Sequence, residues 1–263
     1  ATWKNLEFIV VENNSGDPET FAYYDKIQKE FDFVRVVKWE REFNYSAINN
    51  FGVTFARGQY LLFLNNDTEL INPESIEEML GFCQRDDVGI VGVRLLYSDD
   101  TIQHAGVVVG FGGIAGHTFI GLHKAESSYF NRAMCAQNYS AVTAACMMSK
   151  RSLFDQVGGF SEDLAVAFND IDYCMKIRSL NKLVVYAPYA LFYHYESKSR
   201  GLEDTPEKVA RFNREIRKFA DKWPEILEKG DPYYNPNLTL RKSNFALRDL
   251  KKEKIGEPYK LEV

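Results

Sequence analysis

The N-terminal third of the chain alternates short apolar runs with stretches in which apolar residues recur at helical spacing. The apolar runs are predicted to be strands, and they lie at residues 6–11, 33–37, 60–64 and 88–93. The run at 60–64, YLLFL, has no polar residue, which is typical of a central strand covered on both faces. Strands that alternate with helices predict an α/β fold with an open, mostly parallel sheet.

Helix signals fall between these strands. A turn-forming run at residues 13–18 precedes a helix predicted over residues 19–31. Ser46 is predicted to cap a second helix that ends near Gly58. Asn72 and Pro73 indicate the start of a third helix, because proline is favoured in the first helical turn.

The second half of the chain has a less regular pattern. Residues 99–138 are rich in glycine and predict short strands and a mobile loop. A strand over 142–148, a helix over 170–180, a strand over 183–186 and a long helix from Thr205 to Trp223 follow. These elements predict one domain over residues 1–229. The tail, residues 230–263, is rich in charge and is expected to be extended and to add little to the core.

Composition narrows the classes of partner and compartment. The net charge is −5 with a pI near 5.5, so the chain lacks the basic character of a nucleic-acid binder. The four cysteines form no CxxC pair, which indicates neither a zinc site nor a disulfide framework. No apolar run approaches the ~20 residues that span a bilayer. We therefore expect a cytoplasmic protein without a membrane span, and a place at the inner face of the membrane stays open.

Two acidic segments and one histidine are the candidates for chemistry. Asp67 follows a strand, where it either binds a hard cation such as Mg²⁺ or Mn²⁺ or makes a turn. Asp170 and Asp172 open a helix, where a carboxylate either stabilises the helix dipole or acts as a general base. Because Asp170 and Asp172 are two residues apart, their side chains are expected to point in different directions. His194, in an apolar stretch, is either a core residue or a metal ligand.

Two further segments allow alternative interpretations. The residues after His194 include hydroxyls, two cations and a glycine, and predict either a diphosphate-binding loop or a solvated basic loop. Gln103 and His104 are either a polar contact in a cleft or part of a turn.

Six short motifs, in this order, resemble family 2 of the glycosyltransferases, which have the GT-A fold. The resemblance extends from about residue 6 to residue 223. The motifs are residues 11–15 (VENNS), 43–49 (FNYSAIN), 64–69 (LNNDTE), 157–160 (VGGF), 169–174 (NDIDYC) and 194–201 (HYESKSRG). The resemblance implies an α/β GT-A fold with a Rossmann-like nucleotide-binding half and an acceptor half, so that residues 1–229 form the catalytic domain.

The resemblance also implies an activity. The enzyme would transfer a sugar from a UDP- or dTDP-sugar to a glycan or lipid-linked acceptor, with inversion, in surface polysaccharide synthesis. Asp170 matches the catalytic base. Asp67 stands at the last position of the family's DxD motif and would bind the divalent metal, Mg²⁺ or Mn²⁺, together with His194. Asn65 replaces the first acid of that motif.

The same resemblance assigns residues to the nucleotide sugar. Those near the nucleotide or its diphosphate would be Glu12, Asn13, Asn44, Asn49, Asn66, Ser197, Ser199 and Arg200. The family's first strand, which lines the nucleotide pocket, is not found ahead of residue 6. We therefore expect an N-terminally truncated domain, and donor binding by this chain alone stays open.

Two other functions remain compatible with the sequence. A sugar nucleotidyltransferase of similar architecture should carry a glycine-rich phosphate loop near the first strand, and none is visible. A non-catalytic nucleotide-sugar-binding or scaffolding module would follow from the missing strand. A fold by itself does not separate these functions.

Overall fold

Strand β5 (Val88–Leu96) is buried at every position and lies within a seven-stranded sheet. The computed structural model describes residues 1–195 and 205–258. The other strands of the sheet are β3 (Tyr60–Leu64), β4 (Thr68–Leu70), β6 (Ile102–His104), β9 (Gln137–Tyr139), β10 (Cys146–Lys150) and β11 (Leu183–His194). The hydrogen-bonded order is β3-β10-β5-β11-β4, with β6 on β5 and β9 on β11.

The strand directions in this sheet are mixed, which corrects the prediction of a mostly parallel sheet. Strands β5 and β11 pair in parallel, but β10 runs antiparallel to both β3 and β5. Strand β10 enters the sheet after the long irregular segment that follows β5, not through a short helical crossover. Parallel neighbouring strands are usually joined by a helical crossover, and the connection to β10 is not of that kind.

A second, two-stranded sheet forms at the N-terminus. Strands β1 (Phe8–Glu12) and β2 (Val34–Lys38) pair in parallel across helix α1 (Pro18–Glu30). Strand β3 ends the hydrogen-bonded order of the larger sheet, and only Leu61 and Phe63 of its five residues are buried. The prediction of a central strand at 60–64 is therefore wrong, because an apolar run does not reveal how many neighbours a strand has.

The helices lie close to their predicted positions, but the cap of the second helix differs from the predicted one. Helix α2 (Tyr45–Val53) is capped by Asn44, whose Oδ1 accepts from the Ala47 N–H at 3.0 Å. Ser46, the predicted cap, is buried and donates to the Leu164 carbonyl. The remaining helices are α3 (Ser75–Cys83), α4 (Arg151–Val157), α5 (Asn169–Ser179), α6 (Pro206–Lys222) and α7 (Pro224–Lys229), with 3₁₀ turns at Phe111–Gly113 and Tyr129–Met134.

The tail packs into the core, contrary to expectation. Tyr234, Leu238, Leu240 and Phe245 are buried in one hydrophobic cluster with residues of the glycine-rich segment. That segment contributes strands β7 (Val107–Val109) and β8 (Ala115–His117), which form a small antiparallel pair. Asp231 joins the tail to this segment, because its carboxylate accepts from the Val109 N–H at 2.8 Å.

Among the described residues no helix is long and apolar enough to cross a membrane.

The loop that leads into α5 is held by one buried carboxylate of α6. Glu215 accepts hydrogen bonds from the backbone N–H groups of residues 165, 166 and 167, at 3.0, 3.3 and 2.8 Å. Phe168, the next residue, has a left-handed backbone with φ +61° and packs its ring on Phe212 and Phe219. Such a conformation is unusual for a bulky residue and persists only where its surroundings fix it.

We expect Glu215→Ala to destabilise the fold, because it leaves three partly buried N–H groups without their acceptor. Each such group costs about 1–3 kcal/mol, and water can replace some of the lost bonds, so the free energy of unfolding should fall by about 2–4 kcal/mol. Urea denaturation followed by circular dichroism measures this change. Asp221→Ala, at an exposed position of the same helix, is the control and should leave the midpoint unchanged. Equal midpoints for both variants would contradict the structural role of Glu215.

Candidate active site

One cleft of about 310 Å³ opens where β3, β10 and β11 meet the start of helix α5. Its wall combines polar groups from segments that are far apart in the sequence. The polar side chains in the wall are Tyr45, Asn65, Tyr97, Gln103, His117, Thr143, Asn169, Asp170 and His194. Two of these, Asp170 and His194, are residues that the sequence resemblance selects for catalysis and metal binding.

The register between β4 and β11 brings Asp67 to His194. His194 is the last residue of β11 and pairs with Thr68, the residue after Asp67. The next backbone N–H, that of Tyr195, donates to the Asp67 carbonyl at 2.8 Å. As a result the Nε2 atom of His194 lies 3.1 Å from the Oδ1 atom of Asp67, although the residues are far apart in sequence.

The Oδ1 atom of Asp67 is suited to a cation. It is buried, and apart from His194 no donor of the described residues reaches it. A buried carboxylate oxygen without donors is costly unless a positive charge compensates it. The Nδ2 atom of Asn65 lies 3.2 Å from His194 Nε2. Carboxylate oxygen and imidazole nitrogen are both ligands for Mn²⁺-type ions, so these residues fit a divalent metal.

By itself this pair would offer a metal only a small number of protein ligands. Residues 1–195 and 205–258 contain no group of three or more His, Cys, Asp or Glu side chains arranged to hold a metal. Asp67 and His194 would therefore supply two ligands, and the replacement of the first family acid by Asn65 agrees with that number. Any further ligands would have to come from a bound substrate or from water.

Gln103 holds the other nitrogen of the His194 ring. Its Oε1 atom lies 2.6 Å from His194 Nδ1, and its side chain is buried in strand β6. From the sequence, Gln103 was either a polar contact in a cleft or part of a turn. The structure places it in the wall of the cleft. No sequence signal distinguishes these cases, because the contact depends on how β6 pairs with β5.

A pair of histidines lies behind this contact. The Nδ1 atoms of His104 and His117 are 3.3 Å apart, and His117 Nδ1 also lies 3.2 Å from the Gln103 carbonyl. Burial, and then the neighbouring His117 and His194, hold the pKa of His104 well below the ordinary histidine value. His104 is therefore neutral at pH 7.

Asp170 faces the same cleft from the first turn of α5. Its Oδ1 accepts from the Ile171 N–H at 2.8 Å, and its Oδ2 accepts from the Ala144 N–H at 3.2 Å. The carboxylate is half-buried, so a ligand can reach it.

Asp172 points away from the cleft, as its spacing from Asp170 predicts. It is fully buried and accepts from Ser161 Oγ at 2.7 Å and from Trp223 Nε1 at 2.8 Å. Lys222 Nζ lies 2.6 Å from the same carboxylate. These contacts tie α5 to the end of α6, so Asp172 has a structural role.

The residues predicted to contact the nucleotide lie elsewhere or have protein partners. Glu12 is buried and lines a second cleft beside α1, where it accepts from the Ser15 N–H. Asn13 donates to the carbonyls of Trp39 and Arg41, both at 2.9 Å. Their assignment to a nucleobase stays a prediction.

The remaining assignments to the nucleotide also stay predictions. Asn44 caps α2, and Asn49 donates to the Tyr45 carbonyl of the same helix at 2.8 Å. Asn66 is exposed in the turn between β3 and β4. Ser197, Ser199 and Arg200 lie outside the described residues.

Sequence reasoning missed Glu215, which holds the loop ahead of Asp170. In the sequence it is one acid among several in a charged helix, and nothing there distinguishes it. Only its burial, at 3% exposure, and its three backbone partners reveal its role.

The sequence is similar to two curated proteins. It is 47% identical over 244 residues to the uncharacterized protein y4gI of Sinorhizobium fredii (strain NBRC 101917 / NGR234), a match that covers 92% of this chain and 27% of that protein. It is 38% identical over 256 residues to the O-antigen biosynthesis protein RfbC of Myxococcus xanthus, covering 94% of this chain and 19% of that protein. The chain thus spans about a quarter or less of these relatives.

The fold is similar to those of solved glycosyltransferases. The crystal structure of GalNAc-T7 with UDP, GalNAc and Mn²⁺ superposes with a TM-score of 0.61 and 13% identity, covering 84% of this chain and 45% of that one. The mannosyltransferase PcManGT from Pyrobaculum calidifontis, in complex with GDP-Man and Mn²⁺, superposes with a TM-score of 0.56 and 16% identity. That match covers 81% of this chain and 55% of the other. At such identities the likeness concerns the fold, which is the α/β GT-A type.

The family model described as "Glycosyl transferase family 2" matches residues 1–158, more than half of the 263 residues. The matched part contains Asp67, and the GT-A-type fold agrees with the match. The chain therefore belongs to glycosyl transferase family 2.

Proposed function

We propose that this chain is the catalytic domain of a metal-dependent, inverting glycosyltransferase. The donor is a nucleotide-diphosphate sugar, UDP- or dTDP-linked, and the acceptor is a hydroxyl of a glycan or lipid-linked glycan in surface polysaccharide synthesis. One observation carries the proposal: Asp170 and His194 lie in the wall of one cleft, and Asp67 lies beside His194.

The relatives support the class of substrate. One relative is named for O-antigen biosynthesis, and O-antigen is a surface polysaccharide. The two structural neighbours were solved with UDP or GDP-Man, and both with Mn²⁺. The acidic net charge of this chain argues against a nucleic-acid acceptor.

Asp170 acts as the general base in this proposal. It removes the proton from the acceptor hydroxyl as that oxygen attacks the anomeric carbon, and the bond to the diphosphate oxygen breaks in the same step. The N–H groups of Ala144 and Ile171 orient its carboxylate. The hydrogen bond that Glu215 accepts from the loop before α5, and the aromatic rings packed around Phe168, fix the turn that precedes Asp170. Such preorganisation removes motion that the transition state would otherwise have to restrict.

Asp67 and His194 would hold the divalent metal, whose chemistry is to neutralise charge on the departing nucleoside diphosphate. Asp67 contributes a buried carboxylate oxygen, and His194 contributes Nε2. Ser197, Ser199 and Arg200 would contact the diphosphate, and Arg200 would add a positive charge. Glu12, Asn13, Asn44, Asn49 and Asn66 would contact the nucleotide.

We expect Asp170→Asn to lower kcat by about 10²–10⁴-fold, because the amide cannot accept the proton. The measurement is release of nucleoside diphosphate by the full-length protein from a panel of UDP- and dTDP-sugars with Mn²⁺ and acceptor. Asp155→Asn, at an acid of α4 outside the cleft wall, is the control and should retain activity. Unchanged turnover in Asp170→Asn would show that another group is the base.

We expect Asp67→Ala to raise the Mn²⁺ concentration needed for half-maximal activity by at least about tenfold, since it removes one of two protein ligands. A Mn²⁺ titration of nucleoside diphosphate release measures this, with Asp32→Ala, an exposed acid after α1, as the control. If Asp67→Ala keeps the wild-type Mn²⁺ dependence, the metal assignment is wrong.

Activity of the wild-type protein with nucleoside triphosphate and sugar phosphate would indicate a nucleotidyltransferase instead.

A further inference from the structure

We infer that Gln103 is a positioning residue that directs the Nε2 atom of His194 toward Asp67 by holding the ring through Nδ1. This inference rests on the proposed function, because it concerns how this chain prepares His194 to bind a metal. It adds a residue that lies outside the six family motifs and is far in sequence from both ligands.

The hydrogen bond between Gln103 and His194 determines where the ring proton resides. Oε1 of Gln103 lies 2.6 Å from His194 Nδ1, and a carbonyl oxygen can only accept. The proton between the two atoms is therefore on Nδ1. The amide orientation is consistent with this, because the other end of the group, Nε2 of Gln103, lies 3.5 Å from the His194 carbonyl.

The second ring nitrogen is then available for a ligand. In a neutral imidazole with its proton on Nδ1, Nε2 carries a lone pair. Asn65 Nδ2, which can only donate, lies 3.2 Å from this atom. Oδ1 of Asp67 lies 3.1 Å from it, and with the ring proton on Nδ1 the lone pairs of these two atoms repel each other unless a positive charge binds to both. A divalent cation supplies such a charge.

The rigidity of the support distinguishes Gln103 from an incidental contact. Gln103 is 4% exposed and lies in β6, which pairs with the buried strand β5. His194 ends β11, which pairs with β5 on its other side. Both side chains are thus fixed to one strand. A ligand histidine whose second nitrogen is held by a neighbour keeps its ring orientation, and loss of the neighbour typically costs 10–100-fold in metal affinity.

Binding of Mn²⁺ alone to the 263-residue chain, followed by electron paramagnetic resonance of the free ion, tests the inference. Gln103→Met keeps the size of the side chain but removes the acceptor, and we expect it to weaken Mn²⁺ binding by about tenfold or more. Gln103→Glu restores an acceptor oxygen at the same position and should bind Mn²⁺ within about threefold of wild type, because carboxylates commonly hold the second nitrogen of a ligand histidine. Circular dichroism reports whether each variant folds.

A spectroscopic measurement on the wild type tests the same inference without a variant. The chain has four histidines, so ¹⁵N-histidine labelling gives few ring signals, and His194→Gln identifies those of His194. A long-range ¹H–¹⁵N spectrum at about pH 9, where imidazole is ordinarily neutral, should show the His194 proton on Nδ1. A ring protonated at Nε2 overturns the inference even if Gln103→Met does not fold.

The outcomes separate this inference from the proposed function. If Gln103→Met binds Mn²⁺ within twofold of wild type while Asp67→Ala does not bind it, Gln103 has no positioning role and the metal site stands. If the wild type binds no Mn²⁺, the metal part of the proposed function fails, and the His194 spectrum still decides whether Gln103 sets the ring proton.

Discussion

The pairing of β11 with β4 and β5 is the constraint on which the candidate site depends. Successive residues of a strand point to opposite faces, so a slip of one residue would turn His194 away from Asp67. The register is fixed because β11 is almost entirely buried, so a slip would misplace side chains that are closely packed on both faces of the strand. The pair of Asp67 and His194 is therefore a consequence of burying the sheet.

Buried polar contacts hold the rest of the site. Glu215 fixes the loop before Asp170, and Asp172 ties the helix that carries Asp170 to α6. Asp231 joins the tail to the glycine-rich segment, and burial raises the pKa of this carboxyl. Each carboxylate removed from water this way needs partners, and each has them, which makes the surroundings of the cleft rigid. Rigid support keeps catalytic groups in a productive arrangement.

The sequence predicted individual helices, strands and local chemistry better than the way in which the strands are arranged in the sheet. Helix α1 was predicted to within a residue or so, because the turn-forming run before it is a local signal. The direction of β10 and the edge position of β3 were mispredicted, since both depend on where a distant segment enters the sheet. Ser46 and Asn44 are equally good caps, and tertiary contacts decided between them.

The site shows the same division between local and distant information. Asp67, Asp170 and His194 could be selected because each lies in a short motif whose order along the chain is characteristic of the family. Gln103 and Glu215 could not, because their importance lies in partners that are remote in sequence. The buried tail residues around Phe245 also escaped, because prolines and charges interrupt any period that would reveal an apolar face.

We propose that Asp67 and His194 together bind a divalent cation in the cleft that Asp170 faces. Anomalous X-ray scattering at the manganese edge, from crystals of the chain grown with Mn²⁺, tests it most directly. We expect a manganese peak within bonding distance of Oδ1 of Asp67 and Nε2 of His194. A manganese peak beside other residues, with none between these two atoms, would show that the pair does not bind the metal.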